Sequence, residues 1–495
     1  MWLSDELFFN FQRCHRRAYL DRFGDETQRD PPSDYVLKLR QDSLAHRRIV
    51  LSELLTGSTA PPHDSRQDWN ATAAATLALM QQGIDRITKG VLLLPIDHGI
   101  TLVSCPDVLV RRAGKSIFGD WQYDAIDIRL GKRPKLDYQI TAAFHAYVLA
   151  GVQNAWPETR LILRQRGEYV VNLENLLPRM ETMLQACIEM LLTQQEPEVF
   201  IANNRCDLCP WLTYCYSIAQ TQQHLSLLPG VTPSRYVQLQ ALELLTVEAL
   251  AIARPKQLEM LPGFGLHVAD RIVRQAQSQL QNRALPIRPS GLTPPTEMLL
   301  TPEELPTAAI ELYYDIESAP DHNLAYLHGV LVVDRIAKTK TFHPLWADDV
   351  EFEAEVWQQF LALAERYADA PIFHFCPYEV QTVQRLAATF GTPAERVGPL
   401  LARFVDLHER ITRVATLPVE SYALKPIARW LGFHWRDADA SGAQSIYWYT
   451  QWRSTGKVDF VNAILRYNED DCRATHHLKD WLVQFVSAEV PQLMP

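Results

Sequence analysis

Six prolines crowd into the 22 residues at 285–306, LPIRPSGLTPPTEMLLTPEELP. A helix through this stretch would lose backbone donors and clash at the proline rings, and an inner strand would lose its ladder bonds. The stretch is expected to be a linker, so each half of the chain must build its own core. With 495 residues, 47% of them hydrophobic and 21% charged, both halves have the length and apolar content to do so. That composition excludes collagen-like, coiled-coil and wholly disordered chains. No run of about 18 uncharged apolar residues occurs, and the opening Met1-Trp2-Leu3-Ser4-Asp5-Glu6 lacks the basic and apolar regions of a signal peptide. No membrane span and a cytoplasmic location are the expectations. A net charge of −10 and a pI near 5.9 exclude a general polycation but leave room for a local basic groove.

The expected division is a mixed α/β domain at 1–222, a small helical unit at 223–284, the linker at 285–308 and an α/β domain at 309–495. Residues 91–130 carry the β-branched and aromatic content of several strands, and 38–55 and 180–194 have helical apolar spacing. After the linker, AIELYYDIES and LAYLHGVLVVDRI read as paired strands, with helical patterns from there to the C-terminus.

In ELYYDIESAP, strand alternation puts Asp315 and Glu317 on one face. Two carboxylates so close repel, and a divalent cation is the usual way to keep both ionised. Near the C-terminus, Tyr467-Asn468-Glu469-Asp470-Asp471 supplies a Tyr-x3-Asp whose ends share a helix face. Between them lie Glu379, in IFHFCPYEVQTVQRL, and Asp406, in FVDLHER. This order resembles the RNase H-like, DnaQ-type 3′–5′ exonucleases with a DEDD carboxylate set, in the tyrosine subtype, over about residues 309–490. The resemblance implies that Asp315, Glu317 and Asp471 ligate two Mg²⁺ or Mn²⁺ ions and that Tyr467 orients the attacking water. In the family an Asn is followed a few residues later by Phe-Asp, whereas this chain has His374-Phe375-Cys376-Pro377-Tyr378-Glu379. Glu379 is assigned as that carboxylate and metal ligand, with Asp406 in reserve.

Cys206, Cys209 and Cys215 form Cys-x2-Cys-x5-Cys in NNRCDLCPWLTYCYS, and Cys14 lies in the basic-aromatic FNFQRCHRRAYLDRF. Cys105, Cys187, Cys376 and Cys472 stand singly in apolar surroundings and read as packing residues. One early cysteine with a late triplet resembles the RecB-family (AddB-type) nucleases, in which the ends of a PD-(D/E)XK domain are stapled by a [4Fe–4S] cluster. Cys14, Cys206, Cys209 and Cys215 are then the cluster ligands; a four-cysteine Zn²⁺ site has nearly the same requirements. The resemblance also implies that Asp107, in SCPDVLVRR, and Asp127, in WQYDAIDIRLGKRP, are metal-binding acids on successive strands. His46, in DSLAHRRIV, joins them as a helical ligand. The family's catalytic Lys stands two residues after the second acid, where this chain has Arg129, with Lys132 in the next turn. Arg is not an equivalent replacement. Gln139 matches a helical Gln of the family without its following Tyr, and Arg47 stands where a Glu often follows the His. With these departures the expectation is a second, partly degenerate nuclease site, which if inactive would serve as a clamp for nucleic acid.

Within 223–284, Leu261-Pro262-Gly263-Phe264-Gly265 is a tight turn ahead of a helix, resembling a helix-hairpin-helix motif that grips nucleic-acid backbone. Arg254, Lys256, Arg271 and Arg274 would add charge to that grip. The whole chain resembles bacterial RecB-like proteins that fuse these three modules. The expected fold class is α/β: a PD-(D/E)XK-type mixed sheet, a helix-hairpin-helix unit and an RNase H-like domain. The expected function is metal-dependent hydrolysis of DNA or RNA in repair, recombination or turnover, acting on single-stranded ends. The rival reading is a nucleic-acid-binding scaffold whose nuclease folds are both inactive, as Glu379 and Arg129 would favour.

Overall fold

The computed structural model describes residues 1–54, 68–165, 167–287 and 300–489, and its chain divides into two units, Met1–Ile218 and Ala219–Pro495. In the first, β1 (Trp2–Ser4) leads into α1 (Asp5–Arg13), whose N-terminus Ser4 caps by accepting from the Leu7 N–H at 3.1 Å. Cys14 separates α1 from α2 (His15–Phe23), and then come α3 (Asp34–Leu54) and α4 (Trp69–Gln81). Strand β2 (Arg86–Thr88) precedes the β-rich run, which forms β3 (Leu92–Pro95), β4 (Thr101–Ser104), β5 (Val108–Ser116) and β6 (Gly119–Arg129). Helix α5 (Leu136–Gln153) crosses from β6 to β7 (Thr159–Leu163), followed by β8 (Gly167–Val170). A last group, α6 (Leu173–Thr193), α7 (Asn203–Cys206) and α8 (Leu212–Thr221), carries the cysteine triplet.

The sheet runs β2-β5-β6-β7-β8, with β6 parallel to β7 and the other pairs antiparallel; β1-β4-β3 form a smaller sheet. A long crossover helix is what a parallel pair requires. Apolar and small residues on both sides of α5, among them Ile140, Ala143, Phe144 and Leu149, bury it in the core with Phe8, Tyr123, Leu161 and Met180.

The second unit opens with four helices, α9 (Pro233–Ala241), α10 (Val247–Ala251), α11 (Pro255–Glu259) and α12 (Leu266–Gln281). Gly263 and Gly265, at φ +80° and +95°, make the turn between the last two. The basic residues around it do not all face outward: Arg274 donates to Asp270 at 2.8 Å and to the Pro286 carbonyl at 2.9 Å, and Arg271 lies over the Tyr422 ring. The start of the proline-rich stretch is no free spacer. It forms β9 (Leu285–Pro286), antiparallel to β15 (Ala415–Thr416), and Gln275 donates to the Leu417 carbonyl at 2.6 Å. At its other end Leu300 and Leu305 are buried with Leu407 and Ile411; residues 288–299 lie outside the described residues.

The alternating hairpin becomes β10 (Ile310–Ala319) and β11 (Leu324–Asp334), with Asp315 opposite Gly329. Contrary to the helical expectation beyond it, three more strands complete a five-stranded sheet: β12 (Thr339–Trp346), β13 (Ile372–His374) and β14 (Phe404–Asp406). The order is β12-β11-β10-β13-β14, antiparallel through β10 and parallel beyond. Around it lie α13 (Glu353–Arg366), α14 (Tyr378–Thr389), α15 (Ala394–Leu401), α16 (Leu407–Val414), α17 (Leu424–Trp430), α18 (Gly442–Thr455) and the long α19 (Val458–Glu489). Leu312, Tyr314 and Ile316 pack with Trp357, Phe360 and Val383 of α13 and α14. The opposite face of β10 carries Glu311, Tyr313, Asp315 and Glu317, and Tyr313 packs with Cys472 and Leu478 of α19. No described helix is long and apolar enough to cross a membrane.

Candidate metal centre

On that face of β10 the acids meet two different environments. Glu311 is fully buried but paired, with Lys479 Nζ at 2.6 Å and Arg335 Nη2 at 2.5 Å. Four and six residues farther along the strand, Asp315 and Glu317 meet Asp471 of α19, and carboxylate oxygens of all three lie within 4.8 Å of one another. Among the described residues no Lys, Arg or His stands within ion-pair distance of these three.

Their partners are neutral. Asn468 Nδ2 donates to Asp315 at 2.6 Å, the Ser445 hydroxyl to Glu317, and Trp435 Nε1 to Asp471 at 2.7 Å. Tyr467, one residue before Asn468 on α19, is buried and donates its hydroxyl to Asp471. Each donor holds a carboxylate without cancelling its charge. Burial, followed by repulsion from Asp471, Glu317 and Glu379, pushes the Asp315 carboxyl far above the usual range. Burial likewise raises Glu317 to about 8 and Asp471 to about 7. Converging carboxylates, Asp315 half-buried and Glu317 and Asp471 buried, with the Lys425 charge reaching Asp471 only from beyond ion-pair distance, suit a divalent cation, which would favour their ionised forms. The same burial and charge push the Tyr467 hydroxyl far up, so it acts as a donor and not as a base.

Asn468 reaches Asp315 because Gly329, opposite Asp315 on β11, has no side chain: a Cβ there would lie 1.6 Å from Asn468 Oδ1. Lys425 Nζ sits 5.1 Å from the Tyr467 ring centre and 5.3 Å from that of Trp435, and donates to the Ala440 carbonyl. Sequence reasoning singled out neither Asn468 nor Gly329, although a glycine inside a strand signals a close approach. Ser445, Trp435 and Lys425 carry no such signal.

Glu379, in the first turn of α14, is buried, and its charge contributes to the repulsion on both Asp315 and Glu317. Its Oε2 lies 3.5 Å from His374 Nδ1, which is committed to the Cys376 carbonyl at 2.7 Å. Asp406 does other work: Oδ1 caps α16 through His408 N–H at 2.8 Å and holds Cys376 N–H at 3.0 Å. That bond steadies Cys376 at φ +75° and so the turn that leads to Glu379.

In the first unit, Asp107 precedes β5 and Asp127 lies on β6. Asp127 Oδ2 accepts from Arg129 Nη2 at 2.6 Å and Nε at 3.2 Å, and Oδ1 lies 3.4 Å from His145 Nε2. Asp107 Oδ2 accepts from the Ile128 N–H at 2.6 Å, and Oδ1 lies 3.1 Å from Arg47 Nε. Burial and the charge of Asp127 raise Asp107 to about 6; burial opposes ionisation of Asp127, yet Arg129 and His145 hold it well below the carboxylate range. His46 is half-buried on α3, and Gln139 donates to the Pro134 carbonyl at 2.7 Å. Among the described residues, neither these groups nor the four cysteines bring three ligand atoms within 4.8 Å of one another. The thiols do share a neighbourhood. Burial raises Cys206, Cys209 and Cys215, and the charge of Cys14 adds to all three. N–H groups of Arg17 and Ala202 point at the sulfurs of Cys14 and Cys206, at 3.4 and 3.3 Å.

A search of curated proteins finds no match to this chain. Residues 312–483 match the RNase_H_2 family model of the RNase_H superfamily, so the segment holding Asp315, Glu317, Glu379, Tyr467 and Asp471 is an RNase H-like domain.

Proposed function

We propose that this protein is a metal-dependent nuclease that removes nucleotides from single-stranded ends by 3′–5′ hydrolysis in its C-terminal domain. The observation that carries the reading is the convergence of Asp315, Glu317 and Asp471, whose hydrogen-bond donors Asn468, Ser445 and Trp435 are neutral. These three, with Glu379 beside them, would hold Mg²⁺ or Mn²⁺. When bound, such ions stabilise charge on the entering and departing oxygens of a phosphodiester. Asn468, Ser445 and Trp435 fix the carboxylate orientations, and the protonated Tyr467 hydroxyl positions the attacking water. A folded protein that shortens 5′-labelled single-stranded DNA or RNA stepwise with Mn²⁺, and stops doing so as Asp315→Asn, would support this. No nucleotide release with either metal would leave the scaffold reading.

The cysteines support a second part of the reading: Cys14, Cys206, Cys209 and Cys215 hold a [4Fe–4S] cluster. A cluster spreads its thiolates farther apart than one ion does, and N–H donors to sulfur suit bound thiolates. Protein purified without oxygen should be brown and contain iron. Stoichiometric zinc without iron would overturn the cluster.

A further inference from the structure

The acids of the N-terminal unit stand where the RecB resemblance expects a metal, but their chemistry does not fit one. Each carboxylate oxygen of Asp107 and Asp127 already faces a protein partner: Arg47, the Ile128 N–H, Arg129 or His145. Two of these partners are guanidinium groups, which do not lose their charge at any ordinary pH. A divalent cation would have to displace both. The C-terminal acids show the opposite arrangement, with neutral donors alone. We infer that the N-terminal site binds no divalent cation, its arginines standing in for the metal, and that its outer rim is a metal-independent clamp for single-stranded nucleic acid.

The rim supplies the second half of that inference. Arg129 lies 5.5 Å from the ring centres of both Phe9 and Tyr138, and these rings stack 6.1 Å apart at 16°. Arg13 sits 4.9 Å from the Phe9 ring and Lys135 5.8 Å from that of Tyr138. Lys135 is exposed, as are Lys132 and Arg133 in the same turn. Of these cations, Arg13 is paired with Asp137 at 3.1 Å and Arg129 with Asp127 at 2.6 Å. Cations interleaved with aromatic faces match a single strand, whose phosphates track positive charge and whose unstacked bases lie on rings.

Two measurements on the full chain test this, independently of whether the C-terminal domain cleaves. Mn²⁺ binding, counted by electron paramagnetic resonance, should disappear in the double variant Asp315→Asn/Glu317→Gln. Residual stoichiometric Mn²⁺ that Asp107→Asn removes would overturn the metal-free assignment. A fluorescent oligothymidylate should bind the wild-type chain in EDTA, with affinity that falls steeply with salt. Lys135→Glu is an exposed change that leaves the core intact, and Phe9→Ala removes one stacking face; each should raise Kd on the order of tenfold. Unchanged Kd in both, in protein with wild-type circular dichroism, would overturn the clamp.

Discussion

Asn468 places an uncharged donor on a carboxylate that repels its neighbours, and this choice sets what the site can hold. Groups that orient metal ligands cost roughly 10–100-fold in metal affinity when removed. Asn468→Ala should therefore weaken Mn²⁺ binding by about that factor, measured by titration calorimetry. Asp471→Asn should abolish cleavage at any metal concentration, whereas Tyr467→Phe should lower turnover roughly 10²–10⁴-fold and leave substrate Kd nearly unchanged. The raised carboxyls also fix a sign for pH dependence. From about pH 4 to pH 8 the folded, metal-free protein holds more protons on Asp315, Glu317 and Asp471 than the unfolded chain does. Stability contributed by these groups is complete below that window and is lost as pH rises through it. Melting temperature in EDTA should fall across the window, and Mn²⁺ should offset the fall. The same slope in Asp315→Asn/Glu317→Gln would show that other groups are responsible.

At the level of elements, the site depends on two backbones approaching closely. Strand β11 leaves Gly329 bare where Asn468 of α19 comes in. Gly329→Ala alone should reduce Mn²⁺ affinity by displacing Asn468, but should cost much less in an Asn468→Ala background. A double-mutant cycle reads this as non-additivity; strictly additive effects would separate the two residues. The β10–β11 hairpin and the shared face of Asp315 and Glu317 were legible in strand alternation. Strands β13 and β14 were not, because three residues are too few to show a period. Tyr-x3-Asp was legible as one helix face. Trp435 and Ser445 lie on separate elements, and no local pattern marks them as partners of acids elsewhere in the chain.

On the scale of the whole molecule, the chain forms units that end at Ile218 and begin at Ala219, and the proposed cluster ligands Cys14, Cys206, Cys209 and Cys215 all fall in the first. Cys209→Ser should therefore speed hydrogen exchange within Met1–Ile218 and leave the amides of β10 and α19 protected, because metal binding is coupled to local folding. Loss of protection in β10 would contradict this. The carboxylates, cysteines and arginines that define the chemistry, and the departures at Arg47, Arg129 and Glu379, could all be read in residue order. Residue order also established the strand alternation that sets Asp315 beside Glu317, since side-chain direction follows from local geometry. Only the tertiary structure decided which acids remain without a basic partner. Glu311 is paired with Lys479 and Arg335, Asp127 with Arg129 and Asp107 with Arg47, while Asp315, Glu317 and Asp471 accept hydrogen bonds from neutral donors. Charge compensation depends on distances of a few ångströms between elements far apart in the chain, and composition and spacing do not encode those distances.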